Sequence, residues 1–177
     1  MARRPLICHP DTPTDAVKSI LANVERVLAD RIAITFHLKG DMQRIMQPVL
    51  NPNRRKDGLW HHTCFEAFLK AGGAKGYTEY NFATSGEWAA YCFSEYRSGR
   101  TDAELKKPDM VVRISRFRMF LVAYLTADLP PLSLALSAVI EEIDGTKSYW
   151  ALAHPPGKPD FHHRDCFALE LAPPGTS

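Results

Sequence analysis

Three stretches of this chain carry side chains able to do chemistry. The first is Trp60-His61-His62-Thr63-Cys64-Phe65-Glu66-Ala67-Phe68, which follows a basic, turn-forming loop at 51–58. Successive side chains of an extended strand point to opposite faces. Cys64, Glu66 and Phe68 therefore share one face, and Thr63, Phe65, Ala67 and Leu69 the other. Both faces are largely apolar, which places Glu66 in a partly buried position. A buried carboxylate needs a partner or takes a raised pKa. Either Glu66 accepts hydrogen bonds from a ligand's hydroxyls beside a Trp60 platform, or it sits in a structural pair with an arginine or lysine while Trp60 belongs to the core.

The second stretch runs from Tyr77 to Trp88. Glu79 and Asn81 fall on one strand face, Tyr80 and Phe82 on the other. Ser85-Gly86 forms a turn, and the chain returns as a strand from Trp88. The polar face lines a cleft or is the solvent face of an edge strand. The third stretch, His154 to Cys166, is a proline-rich loop dense in metal-capable groups. Zinc sites draw three or four ligands from well-spaced positions, whereas the rings of adjacent His162 and His163 diverge in an extended chain. A stiff loop docked on the end of the fold, presenting His154 and Trp150 to a pocket, is the simpler reading. His61-His62 carries the same ambiguity.

No catalytic set can be assembled. The chain has no G-x-S-x-G elbow, P-loop or G-x-G-x-x-G, so it reads as a non-enzyme. A net charge of +2 is too small for the basic stripe expected of a nucleic-acid binder. No run approaches the ~20 apolar residues of a membrane helix. Arg3-Arg4 is followed by no apolar segment of a signal peptide, and the expected location is the cytoplasm. Cys8, Cys64, Cys92 and Cys166 show no metal-binding spacing. In 177 residues, one domain that buries roughly 70% of its unfolded surface, they read as reduced, mostly buried thiols.

The elements that position these groups are mostly strands. Turn signals recur along the chain, including 10–13, Gly40-Asp41, Gly72-Gly73, Ser98-Gly99, Pro130-Pro131 and Asp144-Gly145. Between them lie segments that alternate: 31–38, 62–70, 76–83, 88–94, 111–115, 117–125, 132–140, 147–153 and 165–171. A helical turn is expected only at 101–106. One segment conflicts with this pattern, because Val17, Ile20, Leu21, Val24, Val27 and Leu28 are spaced as a helical stripe, with Thr14 or Asp15 as a possible cap. Two packed sheets are the usual solution for such a chain, and a closed barrel is the alternative.

The Leu59-to-Phe68 and Tyr77-to-Tyr91 runs together resemble the small bacterial proteins described as DOMON-like, related to family-nine carbohydrate-binding modules. Ser148-Tyr149-Trp150-Ala151-Leu152 and the 154–163 loop are similar to one subgroup, and the likeness spans nearly the whole chain. It implies an antiparallel β-sandwich of about ten strands, immunoglobulin-like or jelly-roll in type, with residues 16–28 as a strand. It also implies a non-catalytic domain that binds a small ligand, with a saccharide as the expected partner. By motif position Trp60 is one ring of an aromatic clamp and Glu66 its carboxylate, with Asn81 and Arg97 as further hydroxyl readers. Trp150 is a second ring without a fixed register, and His154 belongs to the neighbouring loop. Other relatives bind heme through Met and His. Met110, Met119 and His154 are the groups available for that alternative, and His154, His162 and His163 for a metal-dependent enzyme.

Overall fold

A computed structural model describes residues 3–52, 54–126 and 132–173. The turn expected at Pro130-Pro131 lies outside them. Twelve strands form among the described residues: β1 (Arg4–Cys8), β2 (Val17–Leu28), β3 (Arg31–Gly40), β4 (Cys64–Ala71), β5 (Tyr77–Ala83), β6 (Trp88–Phe93), β7 (Thr101–Asp102), β8 (Asp109–Ser115), β9 (Arg118–Thr126), β10 (Leu132–Glu141), β11 (Lys147–Ala151) and β12 (Leu169–Leu171). The described helix is limited to single 3-10 turns at Leu59–His61 and Arg164–Cys166. Thr101 and Asp102 form an edge strand where a helical turn was expected. The strand expected from 165 begins only at Leu169, after the second 3-10 turn.

The all-β, antiparallel expectation holds, but the arrangement differs from two separate sheets. The strands follow one path, β7-β6-β5-β4-β10-β11-β1-β2-β3-β9-β8, with β12 also on β10. β1 is the joint. Arg4, Pro5 and Leu6 pair with β2, while Ile7 and Cys8 pair with β11. The sheet curls back on itself around this joint. Phe36 of β3 and Phe65 of β4, far apart along the path, come to 4.9 Å between ring centroids.

Alternation explains the core. Ile32, Ile34, Phe36 and Leu38 of β3 point inward, opposite Met119, Leu121, Ala123 and Leu125 of β9. The other half contributes Phe65 and Ala67 of β4, Tyr80 and Phe82 of β5, Leu134, Leu136 and Ala138 of β10, and Trp150 of β11. The opposite face of this second half is also covered. Cys64, Phe68, Tyr77, Tyr91, Ala135, Val139 and Phe161 form a second apolar cluster there. Burial on both faces makes β4 nearly continuous in apolar residues, as expected of a strand covered on both sides.

The helical spacing of 17–28 has a local cause. β2 carries a register shift between Val17, opposite Gly40, and Ser19, opposite Lys39. Lys18 is the extra residue of a β-bulge. The bulge lets Val17 and Ile20 face the core together although they are three apart, and Ala22 and Val24 then follow at period two. Leu28, part of the apparent stripe, is 60% exposed. Beside the bulge the chains approach closely, and a Cβ on Gly40 would stand 2.3 Å from the Ala16 carbonyl oxygen. At the β10–β11 hairpin Gly145 takes φ 86°, the region an Asp-Gly turn supplies.

The strand assignment predicts unequal costs along the stripe. Ile20→Ala should destabilise by about 2–5 kcal/mol, whereas Leu28→Ala should stay within about 0.5 kcal/mol. Urea unfolding of the two variants checks this, and comparable losses at both positions would contradict the strand.

Candidate functional site

The second apolar cluster forms the floor of a cleft of about 370 Å³. Two cross-strand rows build this floor. One runs Tyr91, Glu79, Phe68, Ala135 across β6, β5, β4 and β10, and the next runs Ala89, Asn81, Glu66, Ser137, Ala151. Small residues at 89, 135, 137 and 151 leave space above the sheet, and Glu66 and Glu79 reach into it. The walls come from loops: Trp60 and His61 from the first 3-10 turn, Arg97 and Arg100 from the β6–β7 connection, and Phe161 and His162 from the β11–β12 connection.

Glu66 is 3% exposed and takes a hydrogen bond from Ser137 Oγ to its Oε2 at 3.0 Å. It forms no salt bridge with an arginine or lysine among the described residues, so the structural pair considered for it is not what holds it. Burial, and then the neighbouring Glu79, pushes its pKa up to about 8. Burial also raises Glu79. Two carboxyls this close in a desolvated floor cannot both ionise freely, so near neutral pH Glu66 retains a proton and can donate as well as accept.

Asn81 is fully buried beneath them. Its Nδ2 donates to Glu79 Oε1 at 2.6 Å, and its Oδ1 accepts from the Cys64 thiol at 3.4 Å. It acts on the cleft through Glu79 and does not line it. His162 has its pKa lowered to about 4 by burial and then by the Arg97 charge, so it is neutral. The Arg97 backbone N–H donates to the Tyr77 hydroxyl at 3.2 Å. That hydroxyl is free to donate in turn to His162 Nδ1 at 2.8 Å. The remaining ring proton then sits on Nε2, which lies 3.8 Å from Glu79 Oε2.

The walls are held by charge pairs. Arg97 takes φ 51°, an uncommon left-handed conformation for a non-glycine residue. Its guanidinium donates to Asp160 Oδ1 from Nε at 3.1 Å and from the terminal nitrogen at 2.8 Å. Arg100 lies over the Tyr91 ring at 4.0 Å and the Trp60 ring at 5.1 Å, and bonds Asp57 at 2.7 Å. Tyr91 donates its phenol hydrogen to the same Asp57 oxygen, which holds the Asp57 carboxyl below the usual carboxylate range.

Of the residues singled out in the sequence, Trp60, Glu66 and Arg97 meet at this cleft and Asn81 supports it. Trp150 does not reach it. It pairs with Ala138 on the face of the main core, where its indole N–H donates to Ser148 Oγ at 2.9 Å. Its neighbour Tyr149 has the opposite parity and lines the cleft. His154 lies elsewhere, beside Ile7, His9 and Pro155, with Nε2 2.8 Å from the Ile7 carbonyl oxygen. Met119 is sealed in the main core and Met110 packs against it, so among the described residues no Met–His pair faces the cleft for the heme alternative. His163 caps the second 3-10 turn, and no group of three potential metal ligands converges among the described residues. The residues not anticipated are Tyr91, Phe93, Arg100 and Tyr149, while His162, considered in the sequence as a metal ligand, lines the cleft instead. Parity within β6 and β11 could have found Tyr91 and Tyr149 once one neighbour was placed.

No family model matches this chain, and no curated protein matches it. A solved structure does share its fold. It is the crystal structure of a protein from Bacteroides uniformis described as a "putative carbohydrate-binding protein", with a TM-score of 0.69 at 13% identity, covering 94% of this chain and 84% of that one. At this identity the likeness is one of fold.

The raised carboxyls predict a pH dependence of stability. An unfolded glutamate ionises near 4.5, whereas folded Glu66 keeps its proton up to about 8. Between those values the folded state binds more protons than the unfolded one, so stability falls as pH rises. Glu79 adds an effect of the same sign. His162, lowered to about 4 by burial, acts with the opposite sign below its unfolded value of 6.5, so the urea midpoint of the wild type should fall between pH 7 and pH 8, and Glu66→Gln should remove a large part of that fall. An unchanged fall in the variant would show that Glu66 is not the titrating group.

Proposed function

We propose that this chain is a non-catalytic binding domain for a saccharide, held in the Trp60–Glu66–Arg97 cleft. The observation that carries this reading is the floor itself, with the two buried carboxyls of Glu66 and Glu79 set among aromatic rings. Carboxyls held toward their neutral forms offer both donors and acceptors to neighbouring hydroxyls. The rings of Trp60 and Tyr91 supply apolar area with a defined face. Arg100, lying against both, extends that platform with a guanidinium that can also donate. The fold neighbour described as carbohydrate-binding is consistent with this reading. So is the convergence of the Leu59–Phe68 and Tyr77–Tyr91 runs on one cleft, which also supports placing the chain with the DOMON-like proteins related to family-nine modules.

Binding fits the geometry better than glycoside hydrolysis. That reaction uses two carboxyls flanking the scissile bond. Glu66 and Glu79 rise from adjacent strands of one floor, on the same side of any occupant.

Tryptophan fluorescence tests the reading, with a panel of mono- and disaccharides as titrants. Trp88 and Trp150 are in the main core, so a saturable change reports on Trp60. Trp60→Ala should weaken binding measured by calorimetry by about 2 kcal/mol or more, roughly 30-fold, with its thermal midpoint close to wild type. A flat response across the panel, or unfolding of the variant, would refute the assignment.

A further inference from the structure

His162 has a cavity on either side of it. The same ring lines a second cavity of about 380 Å³, whose other walls include Lys70, Lys75, Arg164, Tyr96 and Phe167. Among the described residues no carboxylate lines it. Arg164 leans on Asp165, with Nε 3.5 Å from Oδ1. Asp160 is committed to Arg97 and to the Tyr96 hydroxyl, and Glu79 approaches the His162 ring from the cleft. Lys70 and Lys75 have no carboxylate partner among the described residues, and the Lys70 ammonium lies 6.0 Å from the Phe167 ring centroid.

Topology explains why two lysines meet here. Lys70 ends β4 and Lys75 precedes β5, so the turn between those strands brings them together. Lys70 also has the parity of Glu66 and Phe68, which puts it on the cleft face of the sheet. Four residues separate Lys70 from Glu66, roughly 13 Å at about 3.3 Å per residue. A hexose ring over Glu66 with a charged substituent, met by a long lysine side chain, spans that distance. Two ammonium groups without a carboxylate balance a dianion, and lysine serves phosphate as a point charge.

We propose that this basic cavity takes the phosphate of a phosphorylated saccharide whose ring occupies the adjoining cleft, an inference that rests on the saccharide reading above. The neutral His162 ring forms the partition between the two. Its contact with Tyr77 fixes its orientation, so the ring and the phosphate are read by separate groups.

Calorimetric titration of the full chain tests this, with neutral hexoses, the matching hexose phosphates and inorganic phosphate as probes. A hexose phosphate should bind about tenfold or more tighter than its neutral parent, with the advantage shrinking at high salt. The Lys70→Gln/Lys75→Gln variant should lose that advantage and keep wild-type affinity for the neutral hexose. Equal affinities for the two forms, or an advantage that survives the double substitution, would overturn the proposal. If no saccharide binds but inorganic phosphate does so in a lysine-dependent way, the saccharide reading fails and the anion cavity stands. If phosphate also fails to bind, both are refuted.

Discussion

Phe65 and Glu66 are neighbours in the chain and point to opposite sides of a sheet that is covered on both. That two-residue period is the constraint on which the molecule depends. Through β4, β5, β6, β10 and β11, one set of side chains closes the main core against β2, β3 and β9. The alternate set makes the cleft floor. A one-residue slip would exchange the sets, driving Glu66, Glu79 and Asn81 into the hydrocarbon core and exposing Phe65, Tyr80 and Phe82. Desolvating unpartnered charges costs several kcal/mol each, so the register is fixed by what must be kept out of the core as much as by what fills it.

The same constraint explains why the floor is polar but not freely charged. Glu66 and Glu79 sit where water is scarce, and burial holds both carboxyls toward their neutral forms. Ser137 and Asn81 each donate a hydrogen bond to them without adding charge, and a neutral His162 ring lies 3.8 Å from Glu79. The cations that face the cleft are each paired with an acid: Arg97 with Asp160, Arg100 with Asp57, Lys147 with Glu141. These pairs orient the arginines before any ligand arrives, which reduces the ordering cost of binding.

Much of this was legible in the sequence, and the limits have physical causes. Alternation gave the strands, the face shared by Cys64, Glu66 and Phe68, and the opposition of Glu79–Asn81 to Tyr80–Phe82. It misdirected attention at β2 because a bulge at Lys18 makes a strand imitate helical spacing. The resemblance leaves Trp150 as a second ring without a fixed register, because parity within a strand does not say which face meets the ligand. Only the pairing with Ala138 decides that, and it makes Tyr149 the cleft residue. The loop histidines were harder still. His154 and His162 look alike in sequence, and what separates them is a long-range contact with Ile7 in one case and with Tyr77 in the other.

The division between strand and loop also orders the chemistry. The floor groups Glu66 and Glu79 are held by ladders on both flanks, so their spacing is set by the sheet and tolerates little adjustment. The wall groups Trp60, Arg97 and Arg100 come from connections whose positions rest on a few ion pairs and ring contacts. A ligand must therefore fit the floor, and it meets walls whose arginines are already oriented by their ion pairs. Glu66 and Lys70 lie on one face of one strand, so the carboxyl floor and the basic cavity share a rigid ruler. The distance between them is fixed by β4, and an extended, singly substituted ligand is the shape that such a ruler selects.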